Sequence, residues 1–221
     1  MTGTGTGGAS GTATGGVTVL LVRHGQSTWN AEHRFQGQAD APLSDAGRSQ
    51  VKEAAAGVAA WLSGREAVVV TSDLERASVT AEALADAVDA APPTPDSDLR
   101  EVRAGAWQGL RHPEIEAGWP ELYRRWRARE DVPAGGDERA SEAGRRVAAA
   151  VRRHAAAVGR RGQVLVVVGH GASLRAAMSP GLAWPEAYRQ LGNLGNAHQS
   201  ELVVPGGGEP WQLVSWNVSP G

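Results

Sequence analysis

Three short apolar runs constrain the fold more than any other feature of this chain: VTVLLV at 17–22, AVVV at 67–70 and VLVVV at 164–168. None alternates with polar residues, so each reads as a strand buried on both faces, as the central strands of a parallel sheet are. The segments between them carry helical spacing. After Ser44, an N-cap candidate, Val51, Ala54, Ala55, Val58 and Leu62 fall on one helix face and end at a Ser-Gly pair. Leu74, Ala77, Ala81, Leu84 and Val88 share a face after the TSD that ends the second run, and the span from Asp137 to Val158 puts Ala143, Val147, Ala150, Val151 and Val158 on one side. A further helix, on the surface or as a lid, is predicted from Ile115 through Trp119, Leu122, Tyr123 and Trp126. Glu201–Val204 and Trp211–Val214 read as two last strands, antiparallel across a Gly/Pro turn. Strands alternating with helices predict an α/β three-layer sandwich, a mainly parallel sheet with helices on both faces.

At 221 residues the chain suits one domain, expected over 17–218, preceded by a disordered tail over 1–16 that has neither charge nor an apolar run. Zero cysteines exclude a disulfide framework, a thiolate nucleophile and Cys-ligated metal. A formal net charge of −2 gives no global attraction for nucleic acid or an anionic membrane. The apolar runs are far shorter than the roughly 20 residues of a membrane span. The expected setting is therefore the cytoplasm, and the expected partner a small molecule; a homodimer is compatible with this composition. The basic residues are Arg throughout except Lys52, which supplies planar, permanently charged forks suited to phosphate or carboxylate.

In open α/β sheets ligands bind beyond the carboxyl ends of the strands. Two of the buried strands end there in His-Gly, as Arg23-His24-Gly25 and Gly169-His170-Gly171. The second run feeds Arg76 in the first turn of its helix, and an extended segment after the Pro-rich loop delivers Glu101. Two Arg, two His and one carboxylate match the needs of phosphoryl transfer through a covalent intermediate. A neutral imidazole is a competent nucleophile, and guanidinium groups neutralise the equatorial oxygens of the transferring group. Neighbouring Arg charges are expected to lower the imidazole pKa, and a carboxyl can protonate the leaving oxygen and then activate water. No metal or other cofactor is required by this set. Ser173 does not make a serine-hydrolase elbow, because Arg175 stands where G-x-S-x-G needs its second glycine. No HExxH pair or Walker loop is present.

The segments LVRHGQSTWNAEHRFQGQADAPLSDAGRSQ, TSDLERASVTAEAL, LREVRAGAWQGL and VVVGHGASLRA lie in that order over most of 17–204. With them the chain resembles the histidine phosphatase superfamily, also called the phosphoglycerate mutase-like proteins. The resemblance implies a six-stranded, mostly parallel sheet flanked by helices. It implies that His24 is the phosphorylated nucleophile, that Arg23, Arg76 and His170 hold the phosphoryl group, and that Glu101 is the acid and base. Asn30, Gln36, Gly37 and Gly171 fall where members contact phosphate or line the substrate pocket. The phosphatase branch fits better than the mutases, whose acid lies in a different motif and whose chain carries a longer insertion; WNVSPG makes a poor C-terminal lid. Within that branch, RHGQ, RFQGQ and LGNLGNA are similar to enzymes acting on glucosyl-3-phosphoglycerate or related sugar and glycerate phosphates. Where members usually read Gly-Gly-Glu-Ser this chain has Gly135-Gly136-Asp137-Glu138, so no specific role is assigned to the acidic position. Ala172 replaces the Asn of mutases. A mutase and a non-catalytic phospho-ligand binder are the competing readings. The residues from Arg111 to Pro133 are expected to form the pocket walls, with Trp29 and Trp107 beside them, while His33, His112, His154 and His198 are expected to be structural or solvated.

Overall fold

Alternation within the central strands decides where the cores lie. The computed structural model describes residues 16–159 and 161–220, so the expected tail over 1–16 falls outside them except for Gly16. In chain order the elements are β1 (Val17–Arg23), α1 (Thr28–Ala31), α2 (Asp45–Leu62), β2 (Ala67–Thr71), α3 (Glu75–Ala87), β3 (Thr94–Pro95) and α4 (His112–Gly118). They continue as α5 (Pro120–Arg127), α6 (Ala140–Gly159), β4 (Val164–Gly169), α7 (Gly171–Gly181), α8 (Ala187–Gln190), β5 (Gln199–Val204) and β6 (Gln212–Val218). The six strands form one sheet in the order β3-β2-β4-β1-β5-β6. β1, β2, β3 and β4 are mutually parallel where they pair, β5 pairs antiparallel with β1, and β6 pairs antiparallel with β5.

Because successive side chains point to opposite faces, β1 sends Val19 and Leu21 one way and Leu20 and Val22 the other. The first pair joins Leu165 and Val167 of β4 in a core under α6 and α7 with Val147, Val151 and Met178. The second joins Val166 and Val168 in a core under α2 and α3 with Val58, Leu62, Ala81 and Leu84. Burial on both faces is why these runs show no polar alternation.

Capping explains the helix starts. The Ser44 side chain accepts from the Gly47 N–H at 3.0 Å, so α2 begins where the sequence predicts. α3 has no side-chain cap of its own; the Asp40 carboxylate takes the Glu75 N–H at 2.8 Å from 35 residues away. One expectation needs correction. The helix predicted from Ile115 to Trp126 is two short helices broken at Trp119, because Pro120 drives the residue before it out of the helical region, to φ −139° and ψ 58°. Residues 212–218 form the edge strand β6.

Candidate active site

The site begins where β2, β4 and β1 end side by side. Arg23 pairs with Gly169 in the parallel register, His24 N–H donates to the Gly169 carbonyl at 3.0 Å, and Ser72 N–H donates to the Val168 carbonyl at 3.0 Å. Both His-Gly corners therefore open into one crevice, with the His24 and His170 ring centroids 5.1 Å apart.

The hydrogen bonds of His24 select its tautomer. Its Nδ1 lies 2.6 Å from the Gly25 carbonyl, which can only accept, so Nδ1 carries the proton and Nε2 keeps its lone pair. Burial above all, then the charges of Arg76 and Arg23, push the His24 pKa well below that of an ordinary imidazole. The ring is thus neutral at neutral pH. The sequence anticipates the Arg contribution; the structure ranks burial ahead of it. His170 is depressed in the same way, by burial first and then Arg76, and its Nε2 meets the Ser72 hydroxyl at 2.9 Å. Its Nδ1 is buried without a partner.

Arg76 is 1% exposed and its guanidinium is fully oriented. Nη1 donates to the Ala39 carbonyl at 2.6 Å, Nη2 to the Gly37 carbonyl at 2.8 Å, and Nε to His24 Nε2 at 3.3 Å. Burial lowers its pKa to about 10, which leaves it charged at neutral pH. Gly37 adopts φ +54°, and a Cβ there would come within 2.9 Å of the Ala104 backbone nitrogen, so the chain needs glycine at this turn. Arg23 donates from Nη1 to the Leu194 carbonyl at 2.7 Å, while its Nε is buried and unpaired. A Cβ at Gly171 would sit 3.2 Å from that Nε; the glycine leaves room for the guanidinium.

Asn30 and Gln36 meet through Ser27. Asn30 closes a capping box with Ser27, and its Oδ1 also accepts from Asn196 Nδ2 at 3.2 Å. Gln36 Oε1 accepts from the Ser27 hydroxyl at 3.0 Å, which leaves the buried Gln36 Nε2 as a donor without a partner on the cavity wall. The Glu101 carboxylate rests on the N-terminus of α7, accepting from the Ser173 N–H at 2.8 Å, the Ala172 N–H at 3.1 Å and its neighbour Val102 N–H at 2.8 Å. It lines the same cavity as His24 and Arg76, about 250 Å³ in volume.

Two residues that hold this geometry are not assigned from sequence. Glu138 is 2% exposed and accepts from Arg146 Nε at 2.9 Å and from the Arg103 N–H at 2.9 Å. Arg146 in turn donates to the carbonyls of Asp98, Arg100 and Glu101 at 2.7–2.9 Å. The pair clamps the extended segment that delivers Glu101; the acidic position itself, Asp137, accepts from Arg103 Nε at 2.8 Å. The walls come from His112, Trp126, Glu130 and Val132, within 111–133. Trp107 is fully buried between Phe35 and Tyr123 and does not reach the cavity; neither does Trp29, which packs over Gly109. Trp126 takes the wall position instead. His112 lines the cavity, its Nδ1 2.9 Å from the Tyr123 hydroxyl, rather than standing apart from it. Among the described residues no group of three or more His, Asp or Glu could hold a metal ion.

A lone-pair nitrogen beside two fixed guanidinium groups, with a carboxyl on the same cavity, can attack an electron-poor phosphorus while its oxygens are neutralised. The profile of the histidine phosphatase superfamily (branch 1) matches residues 19–219. The chain is 34% identical to the glucosyl-3-phosphoglycerate phosphatase of Mycolicibacterium vanbaalenii, over 91% of this chain and 94% of that protein. It is also 34% identical to the 2,3-bisphosphoglycerate-dependent phosphoglycerate mutase of Brucella anthropi, over 72% of this chain and 78% of that one. The solved structure of a mycobacterial glucosyl-3-phosphoglycerate phosphatase complexed with VO3 superposes with a TM-score of 0.81 at 31% identity, covering 92% of this chain and 100% of that one.

Proposed function

The chain belongs to the histidine phosphatase superfamily, and from that membership and the geometry above we propose that it hydrolyses small phosphate monoesters through a phosphohistidine at His24. The observation that carries this reading is the His24 Nε2 lone pair, directed by the Nδ1 bond to Gly25 and met by Arg76 Nε at 3.3 Å. In the first step Nε2 attacks phosphorus in line, and Arg76 passes its Nε hydrogen bond to a phosphoryl oxygen. Arg23, with its unpaired Nε, His170, Asn30 and Gln36 Nε2 complete the cradle. As the ester P–O bond breaks, Glu101, entering this step in its acid form, delivers its proton to the departing oxygen and is left as the carboxylate. In the second step Glu101 takes a proton from water, the water oxygen bonds to phosphorus, the N–P bond breaks and His24 returns neutral. No step in this scheme calls for a metal.

Sugar and glycerate phosphates are the substrate class this reading favours, supported by the resemblance to phosphatases of that specificity over 91% of the chain. Hydrolysis is preferred to mutase chemistry because the similarity to the phosphatase extends over 91% of this chain, against 72% for the mutase. The reading also sets the enzyme in the cytoplasm, where charged esters of this kind are retained.

Phosphate release from p-nitrophenyl phosphate and 3-phosphoglycerate, measured with and without chelator, is the test. Turnover that survives chelator and is lost in His24→Ala is the expected result, with no 2-isomer formed from 3-phosphoglycerate. Binding without turnover by the unmodified chain would make it a phospho-ligand binder instead.

A further inference from the structure

Beside the phosphoryl pocket, and sharing Arg23, Glu101, Trp126, Ala172, Arg175 and Tyr188 with it, lies a cleft of about 480 Å³. Its charge is one-sided. Arg23, Arg127, Arg129 and Arg175 line it, against the single carboxylate of Glu101 among the described lining residues. That carboxylate is already committed to the backbone N–H groups of Val102, Ala172 and Ser173. The excess positive charge is therefore uncompensated within the protein.

Arg175 is the most telling member. It is 8% exposed, its guanidinium stacks 4.5 Å over the Tyr188 ring, and Nη1 donates to Asn193 Oδ1. Its Nε is buried without any hydrogen-bond partner. A buried guanidinium held in place by a ring and an amide, with a donor left unused, is a preorganised anion contact. Arg129 is fixed as well: Nη1 donates to the carbonyls of Arg189 and Leu191 at 2.6 and 3.1 Å.

Resting on the phosphatase reading of the adjoining pocket, we propose that this Arg-lined cleft binds a second anionic group of the substrate, a carboxylate or a second phosphate carried on the leaving group. The side of the phosphorus is fixed by Glu101. The acid that protonates the departing oxygen faces the leaving group, and Glu101 lines both cavities, so the leaving-group body extends into the cleft. The cleft thus selects among esters by what they carry beyond the ester oxygen. This is how binding energy remote from the reacting centre imposes specificity.

Matched esters test it. 3-Phosphoglycerate against glycerol 3-phosphate reads the carboxylate, and propane-1,3-diol bisphosphate against the monophosphate reads the second phosphate. The unmodified enzyme is expected to favour the doubly anionic member of at least one pair by about 10-fold or more in kcat/KM, mainly through KM, as a charge-assisted hydrogen bond supplies. Which pair shows the preference names the group. Arg175→Met should reduce that preference at least about 10-fold, and Arg127→Gln, an exposed change that leaves folding intact, about 3-fold. Equal losses on both members of each pair, or no preference in the unmodified enzyme, would overturn the proposal. Calorimetric titration of the same pairs against His24→Ala protein reads the cleft without turnover. A failure of the phosphatase reading would then show as unhydrolysed esters that still bind with the preference, and a failure of the cleft as hydrolysis or binding without it.

Discussion

The floor of the phosphoryl pocket is made by the ends of parallel strands, and its roof by aromatic side chains on two short helices and the loops around them. On the floor, His24, Ser72 and His170 are fixed by backbone register and by helices packed on both faces of the sheet. The roof rests on a separate small cluster of Trp107, Ile115, Tyr123 and Ala134, with Phe35 and Trp126 meeting at 4.9 Å between ring centroids. The two regions differ in what holds them. The floor is over-determined by the main sheet, so the reacting groups are preorganised, whereas the roof depends on edge-to-face aromatic contacts of about 0.5–1.5 kcal/mol each beyond their buried area. On the proposed function, chemistry is thereby separated from specificity: the floor can stay fixed while the roof varies.

Variants should divide along this line. The largest effect is expected for Arg76→Lys, which loses the planar fork that reaches the Gly37 and Ala39 carbonyls and His24 together. Turnover should fall about 10³-fold on every ester, and a loss confined to large substrates would move Arg76 out of the floor. Glu101→Gln should slow glycerol 3-phosphate by about 10²-fold or more and p-nitrophenyl phosphate by less than about 10-fold, since only the alkoxide needs a proton. Equal loss on both would remove Glu101 from its role. Trp126→Ala, a roof change, should cost about 10-fold in kcat/KM for a sugar phosphate and under about 3-fold for ethyl phosphate, too small to reach the roof. A uniform loss would show that the roof supports the floor.

The floor also predicts a pH dependence of stability. His24 and His170 are held neutral by burial, with folded pKa values below those of the unfolded chain. Between the unfolded value near about 6.5 and the depressed folded values, the unfolded chain binds more protons. Stability present above about pH 6.5 is therefore lost as pH falls, by about 1.4 kcal/mol per pH unit for each imidazole. Urea midpoints from about pH 7.5 down to about pH 5 measure this, and His170→Asn should reduce the slope. A slope unchanged in that variant would contradict the burial account.

The same division governs what could be read from sequence. The buried runs at 17–22, 67–70 and 164–168 are legible because a strand buried on both faces has its own pattern. The His-Gly corners are legible with them, since a residue placed directly after such a strand is held at the sheet's carboxyl edge. The roof is not. Apolar spacing continues across Trp119 as though one helix ran through, and only Pro120 marks the break. Trp107 and Trp126 carry the same side chain, and which one faces the cavity depends on how the Phe35 loop folds beneath them. Glu138 and Arg146 escape for another reason: both look like solvated helix-face charges in sequence, whereas Arg146 donates to carbonyls of Asp98, Arg100 and Glu101, 45 to 48 residues before it, and Glu138 accepts from Arg146 and the Arg103 N–H. Gln36 and Asn30 are visible as motif residues, but their meeting through Ser27 is not.

The central claim is that the His24 imidazole itself takes the phosphoryl group. Rapid alkaline quench of the enzyme during turnover of ³²P-labelled ester, with peptide mapping of the quenched protein, tests it most directly. The expected result is an acid-labile, base-stable label on the peptide that contains His24, absent in His24→Ala. Label recovered on His170 or on a carboxylate, or multiple turnovers with no enzyme-bound phosphate under rapid quench, would contradict it.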